Sequence, residues 1–221
     1  MLWIKICGTT NLEDARVAVD AGADALGFIF AESPRKIALV QAQEIIAQVP
    51  KGVEKIGVFV DDKPERILEV VTELGLTGVQ LHGNESPLHV GTLRKGTSEG
   101  TRILKAVRLN DPAAGSQLAV YGANRRLLPD AILLDSGSAE KPGGTGQTFN
   151  WKQWAGVAQQ LSERMATVVA GGLTAENVAE VLHVLSPWGV DVVSGVEQSP
   201  GKKDHKKVRA FVAAARAADN R

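Results

Sequence analysis

Eight short, β-rich runs recur along the chain, and a helix-like stretch follows each one. The runs are WIKIC (3–7), ALGFIF (25–30), KIGVFV (55–60), GVQLH (78–82), RILKAV (102–107), AILLD (131–135), ATVVA (166–170) and VDVVS (190–194). Several are nearly continuous apolar segments, the pattern of strands buried on both faces of a parallel sheet. Strand then helix, repeated eight times, implies parallel strands joined by crossover helices. Eight such units in 221 residues predict an α/β fold of the (β/α)8, or TIM-barrel, type, read as a single domain over 1–221. A doubly wound open sheet is the alternative.

The helix signals carry their own punctuation. Asn11 is placed to cap a first helix, with Asp14 three residues on and Ala15, Ala18 and Val19 at helical spacing. DDKPERILEVVTELG puts Pro64 in a first turn, spaces Ile67, Leu68, Val71 and Leu74 on one face, and stops at Gly75. LTAENVAEVLHVL offers Thr174 as a cap before Val178, Val181, Leu182 and Leu185, and Val208, Phe211, Val212 and Ala215 repeat the pattern near the end. RKGTSEGT (94–101) and NDPAAG (110–115) read as loops within the repeat, and Pro112, Gly115 and Gly122 dilute the helix signal over 111–129.

Composition narrows the function classes. Hydrophobic residues are 44% and charged residues 23%, an ordinary globular balance. Lys plus Arg equals Asp plus Glu at 25 each, so no global charge favours nucleic acid as a partner. The basic stretch GKKDHKK (201–207), interrupted by an acid, reads as a solvated loop and helix start. No apolar run approaches the roughly 18 residues of a membrane span, and MLWIKICGTT lacks a charged region followed by a long apolar one, so no signal peptide is expected. With a single cysteine and no intramolecular disulfide, the expected compartment is the reducing cytoplasm. The oligomeric state is left open.

In such barrels the working face is built from the loops that leave the C-terminal ends of the strands. Cys7-Gly8, Ser33-Pro34-Arg35, Gln80-Leu81-His82, Asp135, Gly171-Gly172 and Ser194-Gly195 all fall there. The glycine pairs after the seventh and eighth runs fit a phosphate cup, because glycine lets backbone N–H groups approach an anion; a short helix after the eighth would add its N-terminus. Their other reading is two tight turns. Gly144, in GGTG (143–146), is a further phosphate candidate or part of a lid, and lacks P-loop surroundings.

Cys7 and Asp135 end the first and sixth runs, on opposite sides of a ring of eight. A thiolate can take a proton and a carboxylic acid can give one, which makes an isomerase that needs no cofactor. Taken alone, a lone cysteine is more often a small buried hydrophobe, and an aspartate at a strand end is as often a cap. Arg35 suits a bidentate grip on a carboxylate, or is a surface arginine. Lys5 shares the parity of Cys7, so it points to the same side. Paired with Asp191 it reads as an ion pair filling the barrel. Asp191 is also a candidate for a substrate hydroxyl, and Gln80 and His82 for substrate contact. His89, His183 and His205 read as structural or solvated. No His, Cys and acid grouping has metal-ligand spacing, so no metal is expected.

KICGTTNLEDA, GADALGFIF, SPRKI, GVFV, VQLHG, ILLDS, GGTGQTFNW, AGGLTAENV and VDVVSGVEQSPGKKD follow one another over nearly the whole chain. In order and spacing they resemble the phosphoribosylanthranilate isomerases of tryptophan synthesis. That resemblance implies a cofactor-free Amadori rearrangement of a phosphorylated small molecule, N-(5-phosphoribosyl)anthranilate. It implies Cys7 as general base, Asp135 as general acid and Arg35 on the anthranilate carboxylate. The amides near Gly172 and Gly195, with Gly144, would hold the phosphate. Three other readings stand beside it. The aminoaldose isomerase of histidine synthesis is expected to carry Asp where Cys7 stands. Indole-glycerol-phosphate synthase would want a strand-end lysine such as Lys105. A barrel that only binds phosphate ligands would need neither Cys7 nor Asp135.

Overall fold

Nearly all strand positions are buried because one face of each strand meets the barrel interior and the other meets helices. The computed structural model describes residues 1–123, 128–137 and 148–219. In chain order it contains β1 (Trp3–Cys7), α1 (Leu12–Asp20), β2 (Ala25–Ile29), α2 (Leu39–Ile46), β3 (Glu54–Phe59) and α3 (Pro64–Leu74). There follow β4 (Gly78–Leu81), α4 (Pro87–Gly96), β5 (Arg102–Arg108), α5 (Ala114–Ala123), β6 (Ala131–Asp135) and α6 (Trp151–Ser162). The last elements are β7 (Ala166–Val169), α7 (Val178–Leu185), β8 (Gly189–Val192), the hairpin strands β9 (Glu197–Ser199) and β10 (Lys202–Lys203), and α8 (His205–Ala218). β1 to β8 pair in sequence order, all parallel, and β8 closes back on β1. The architecture is the (β/α)8 TIM barrel, not an open sheet.

Strand alternation sorts the side chains. Trp3, Ala25, Ile56, Leu104, Leu133 and Val168 form one inner apolar cluster. Their neighbours Ile4, Leu26, Ile103, Leu134 and Val169 belong to the larger cluster shared with the helices. A side chain of this kind contributes about 1.5–3 kcal/mol when fully buried. Toward the other end of the barrel the inward parity is polar: Lys5 and Cys7 on β1, Gln80 on β4, Asp135 on β6 and Asp191 on β8. At the N-terminal end Trp3 stacks on Trp188 with ring centroids 5.0 Å apart. Arg102 lies 4.8 Å over Trp188 and is held by the Glu54 carboxylate at 2.9 and 3.0 Å.

The helix ends largely follow the local signals. Asn11 caps α1 by accepting from the Asp14 N–H, and α3 begins at Pro64 and ends on Gly75 in the left-handed region, φ 61°. The apolar stripes of α7 and α8 are buried. Thr174 is not the cap of α7. That helix starts later, behind Asn177, because the Asn177 side chain turns back to accept the Thr174 N–H and donate to the Gly172 carbonyl. α4 also runs on to Gly96, inside the stretch expected as loop, and α5 opens at Ala114.

Candidate active site

The inward polar parity ends in a cavity of about 400 Å³ at the C-terminal rim of the strands. Cys7, Gln80, His82, Asp135 and Asp191 line it, together with Arg35, Gly171, Gly172, Ser194 and Gly195. Thus the structure brings together every residue expected at the site except Gly144, which lies outside the described residues.

Cys7 is 2% exposed. Its sulfur has room because β2 carries glycine opposite it: a Cβ on Gly27 would stand 2.5 Å from Sγ. Directly below, the Lys5 ammonium donates to Asp191 Oδ1 at 3.0 Å, across the register pair that joins β1 to β8. Burial pushes the Cys7 thiol up; the Lys5 charge opposes this and the Asp191 charge adds to it. Burial acts to lower Lys5, and Asp191 and Cys7 outweigh it, so the ammonium is held above its ordinary range. The ion pair therefore fills the barrel and also faces the thiol.

Asp135 is 5% exposed, and its Oδ1 accepts from the Gly137 N–H at 2.6 Å. Burial raises its carboxyl, against the Gly137 hydrogen bond and the charges of Arg108 and Lys5. A raised carboxyl keeps its proton further toward neutrality, which suits a general acid. His82 Nε2 stands 3.7 Å from Asp135 Oδ2, too far for a hydrogen bond. Burial, followed by Arg108 and Lys105, lowers the His82 imidazole to about 4, so it is neutral near pH 7. Gln80 Nε2 meets Nδ1 at 2.8 Å. With that amide donating, Nε2 carries the hydrogen, and it has no partner among the described residues. It is a buried donor beside the Asp135 carboxyl group.

The other end of the cavity is backbone. Gly171 and Gly172 are in the left-handed region, φ 84° and 64°. A Cβ on Gly195 would fall 1.8 Å from the Leu173 carbonyl oxygen, so the loops after β7 and β8 interlock only without side chains. A single 3-10 turn, Ser194–Val196, follows β8. Its leading N–H groups have no intrahelical acceptor, the feature that suits an anion.

Arg35 reaches the cavity over Gly8, whose hypothetical Cβ would touch Arg35 Cδ at 3.2 Å. Its Nε donates to both Glu197 oxygens at 3.0 and 3.1 Å, and Nη2 donates to Oε2 at 2.8 Å. Nη1 makes no hydrogen bond to a described residue. Arg35→Ala is expected to raise KM for a carboxylate-bearing ligand by about 10–100-fold, the worth of one charged hydrogen-bonded contact. Steady-state titration of the substrate checks this, and an unchanged KM contradicts a clamp.

Two parts of the site carry no signal in the sequence, Lys203 and Gly27, and Glu197 stands there only as a strand-end residue without a role. Lys203 is a correction, since the 201–207 run is not all solvated. Lys203 is 1% exposed, and its ammonium donates to the Cys7 carbonyl. Nothing local distinguishes a buried lysine in a basic run from its neighbours. Lys105 proves tied down. It pairs with Glu85 at 3.1 Å, donates to the Gly83 and Ala106 carbonyls, and does not line the cavity. That removes the free strand-end lysine a lyase would want. Lys105→Met leaves the Glu85 carboxylate buried without its cation, and is expected to lower unfolding free energy by about 3–5 kcal/mol in urea titration.

A closed (β/α)8 barrel whose rim cavity is lined by a thiol and a carboxyl group defines a TIM-barrel protein with its candidate site at the C-terminal ends of the strands. Residues 4–214 match the family model described as N-(5'-phosphoribosyl)anthranilate (PRA) isomerase. The chain belongs to that family. The N-(5'-phosphoribosyl)anthranilate isomerase of Pelobacter propionicus is 45% identical over 213 residues, covering 96% of this chain and 94% of that protein. The crystal structure of phosphoribosyl anthranilate isomerase from Thermotoga maritima superposes with a TM-score of 0.84 at 37% identity, covering 98% of this chain and all of the other. A crystal structure of phosphoribosyl anthranilate isomerase in complex with reduced 1-(o-carboxyphenylamino)-1-deoxyribulose 5-phosphate gives 0.82 at 35% identity, with 98% of this chain and 100% of that chain covered.

Proposed function

We propose that this chain, acting as one barrel domain, isomerises N-(5-phosphoribosyl)anthranilate to 1-(2-carboxyphenylamino)-1-deoxyribulose 5-phosphate in tryptophan synthesis. The observation that carries the reading is the convergence of Cys7 and Asp135 on one cavity between Arg35 and the glycine loops. Asp135 gives its proton to the ribose ring oxygen, the C1–O bond breaks, and the nitrogen lone pair forms a Schiff base. The Cys7 thiolate then takes the C2 proton, and the C–H electrons move toward C1 and nitrogen to give an enolamine. Tautomerisation to the ketone returns a proton to C1. Hydrogen has moved from C2 to C1 with no net oxidation, so no redox cofactor takes part in these steps.

Arg35 takes the anthranilate carboxylate on its Nη1 edge, because Glu197 already holds the Nε edge. The loops at Gly171-Gly172 and Ser194-Gly195, with Gly144 from outside the described residues, hold the phosphate. Gln80, His82 and Asp191 contact the sugar, with the unpaired His82 Nε2–H as one donor. Among the described residues no group of His, Cys, Asp and Glu could hold a metal ion, and no helix is long and apolar enough to cross a membrane. A catalytic thiol works only when reduced, which fits the cytoplasm. The test is to add purified protein to phosphoribosylanthranilate and follow the loss of its fluorescence. Turnover is expected. No turnover there, with turnover of the histidine-pathway aminoaldose, overturns the reading.

A further inference from the structure

The hairpin that follows β8 holds both Arg35 and the strand end at Cys7 through two buried charges. β9 and β10 pair antiparallel and turn at Gly201, φ 79°. Thr10 Oγ1 donates to the Gly201 carbonyl, and the Lys203 N–H donates to Asp14 Oδ2 at 2.9 Å, so the loop after β1 and the start of α1 fix the hairpin from outside. Inside, an ammonium has three donors, and Lys203 directs them to the Cys7 carbonyl at 2.5 Å, Glu197 Oε1 at 3.3 Å and the Val193 carbonyl at 3.4 Å. One side chain thereby ties the end of β1, the end of β8 and β9 together. Glu197 in turn accepts from Arg35, from Lys203 and from the Gly201 N–H. The Arg35 guanidinium makes no other side-chain hydrogen bond to a described residue, so Glu197 alone sets its plane.

We infer that Glu197 and Lys203 are positioning residues of the proposed reaction, Glu197 orienting Arg35 toward the substrate carboxylate and Lys203 fixing the strand end that carries Cys7. This rests on the roles proposed for Arg35 and Cys7. An apolar pair of similar volume would cost less to bury than two charges, so stability alone does not call for this arrangement. The charges around it are consistent with ionised partners. Burial acts to raise the Glu197 carboxyl, and the Arg35 hydrogen bond with the Lys203 charge outweighs it, holding Glu197 below the usual carboxylate range. Burial pulls the Lys203 ammonium down, and Glu197 and Cys7 act against that pull. The charged groups facing Cys7 are Lys5 from β1, Asp191 from β8 and Lys203 from β10. Arg35 and Glu197 face Lys203 from the rim, and Asp14 and His205 are joined behind it at 2.9 Å.

The two variants should fail in different ways. Glu197→Gln removes the charge that orients Arg35, and is expected to raise KM about tenfold with kcat changed less than about threefold. Lys203→Met removes a cation that favours the thiolate. It is expected to lower kcat about tenfold, and to move the alkaline limb of kcat/KM to higher pH, with KM little changed. A merely structural role would move neither the split between KM and kcat nor the limb. If Lys203→Met does not fold, judged by circular dichroism, Glu197→Gln decides through its KM. Unchanged KM in Glu197→Gln, while Arg35→Ala raises it, overturns the inference, as does an unmoved alkaline limb in folded Lys203→Met. Absence of turnover in the unmodified protein fails the parent reading and takes this inference with it; turnover with indifferent variants fails this inference alone.

Discussion

Cys7→Ser should lower kcat by about 10²–10⁴-fold or more while the barrel still folds. Serine keeps the shape that the glycine opposite admits, and the Cys7 carbonyl that accepts from Lys203 is backbone, so the strand end keeps its contacts. What changes is acidity. A hydroxyl is a far weaker acid than a thiol, and burial already pushes this position away from an anion against the favourable charges of Lys5 and Lys203. The fluorescence-loss assay gives kcat, and the thermal midpoint separates lost chemistry from lost fold. Near-normal turnover in the serine variant would remove Cys7 from the mechanism.

A comparable loss, again about 10²–10⁴-fold in kcat, is expected for Asp135→Asn, with a pH signature that identifies the acid. Asparagine keeps an oxygen for the Gly137 N–H, so the loop after β6 retains its anchor. In the free enzyme both groups are raised by burial, the carboxyl from the carboxylate range and the thiol from the thiol range. In the proposed mechanism the working form has the carboxyl protonated and the thiol ionised, the reverse of the order in which they titrate. That form shares its net charge with the dominant carboxylate–thiol form, so kcat/KM is level between the two titrations. It falls below the first, where Cys7 regains its proton, and falls above the second, where Asp135 has none to give. With asparagine the upper fall should vanish, because no carboxyl remains to lose a proton. Residual kcat/KM then rises with pH as Cys7 ionises. A bell retained in the asparagine variant would mean that another group supplies the upper limb.

Much of the barrel was readable because each of its rules is local. The continuous apolar run in AILLD needs only five positions, and Pro64 with Gly75 mark a helix by their own backbone preferences. The failures share a different cause. Thr174 and Asn177 both have capping side chains, and choosing between them depends on the Gly172 carbonyl that Asn177 reaches. The run 201–207 has a surface composition, yet Lys203 is buried because its hairpin folds back against β1 and α1. Arg35 was legible as a carboxylate binder, but not that Glu197, 162 positions away, already holds one edge of its guanidinium.

The amino-acid sequence by itself determined eight strands, each followed by a helix, and which residues stand at the strand ends; the parallel pairing of β8 with β1 is what closes the ring. It also carried the family in the order of its motifs. Period-two alternation fixes which side chains turn inward, and a parallel strand fixes which end they occupy. The tertiary structure alone decided what those ends do to one another. Cys7 gains its sulfur's space from Gly27 and its cationic neighbours from Lys5 and Lys203, while Asp135 gains its raised carboxyl from burial. Such effects depend on distance through space and on exclusion of water, and neither quantity is written in sequence separation.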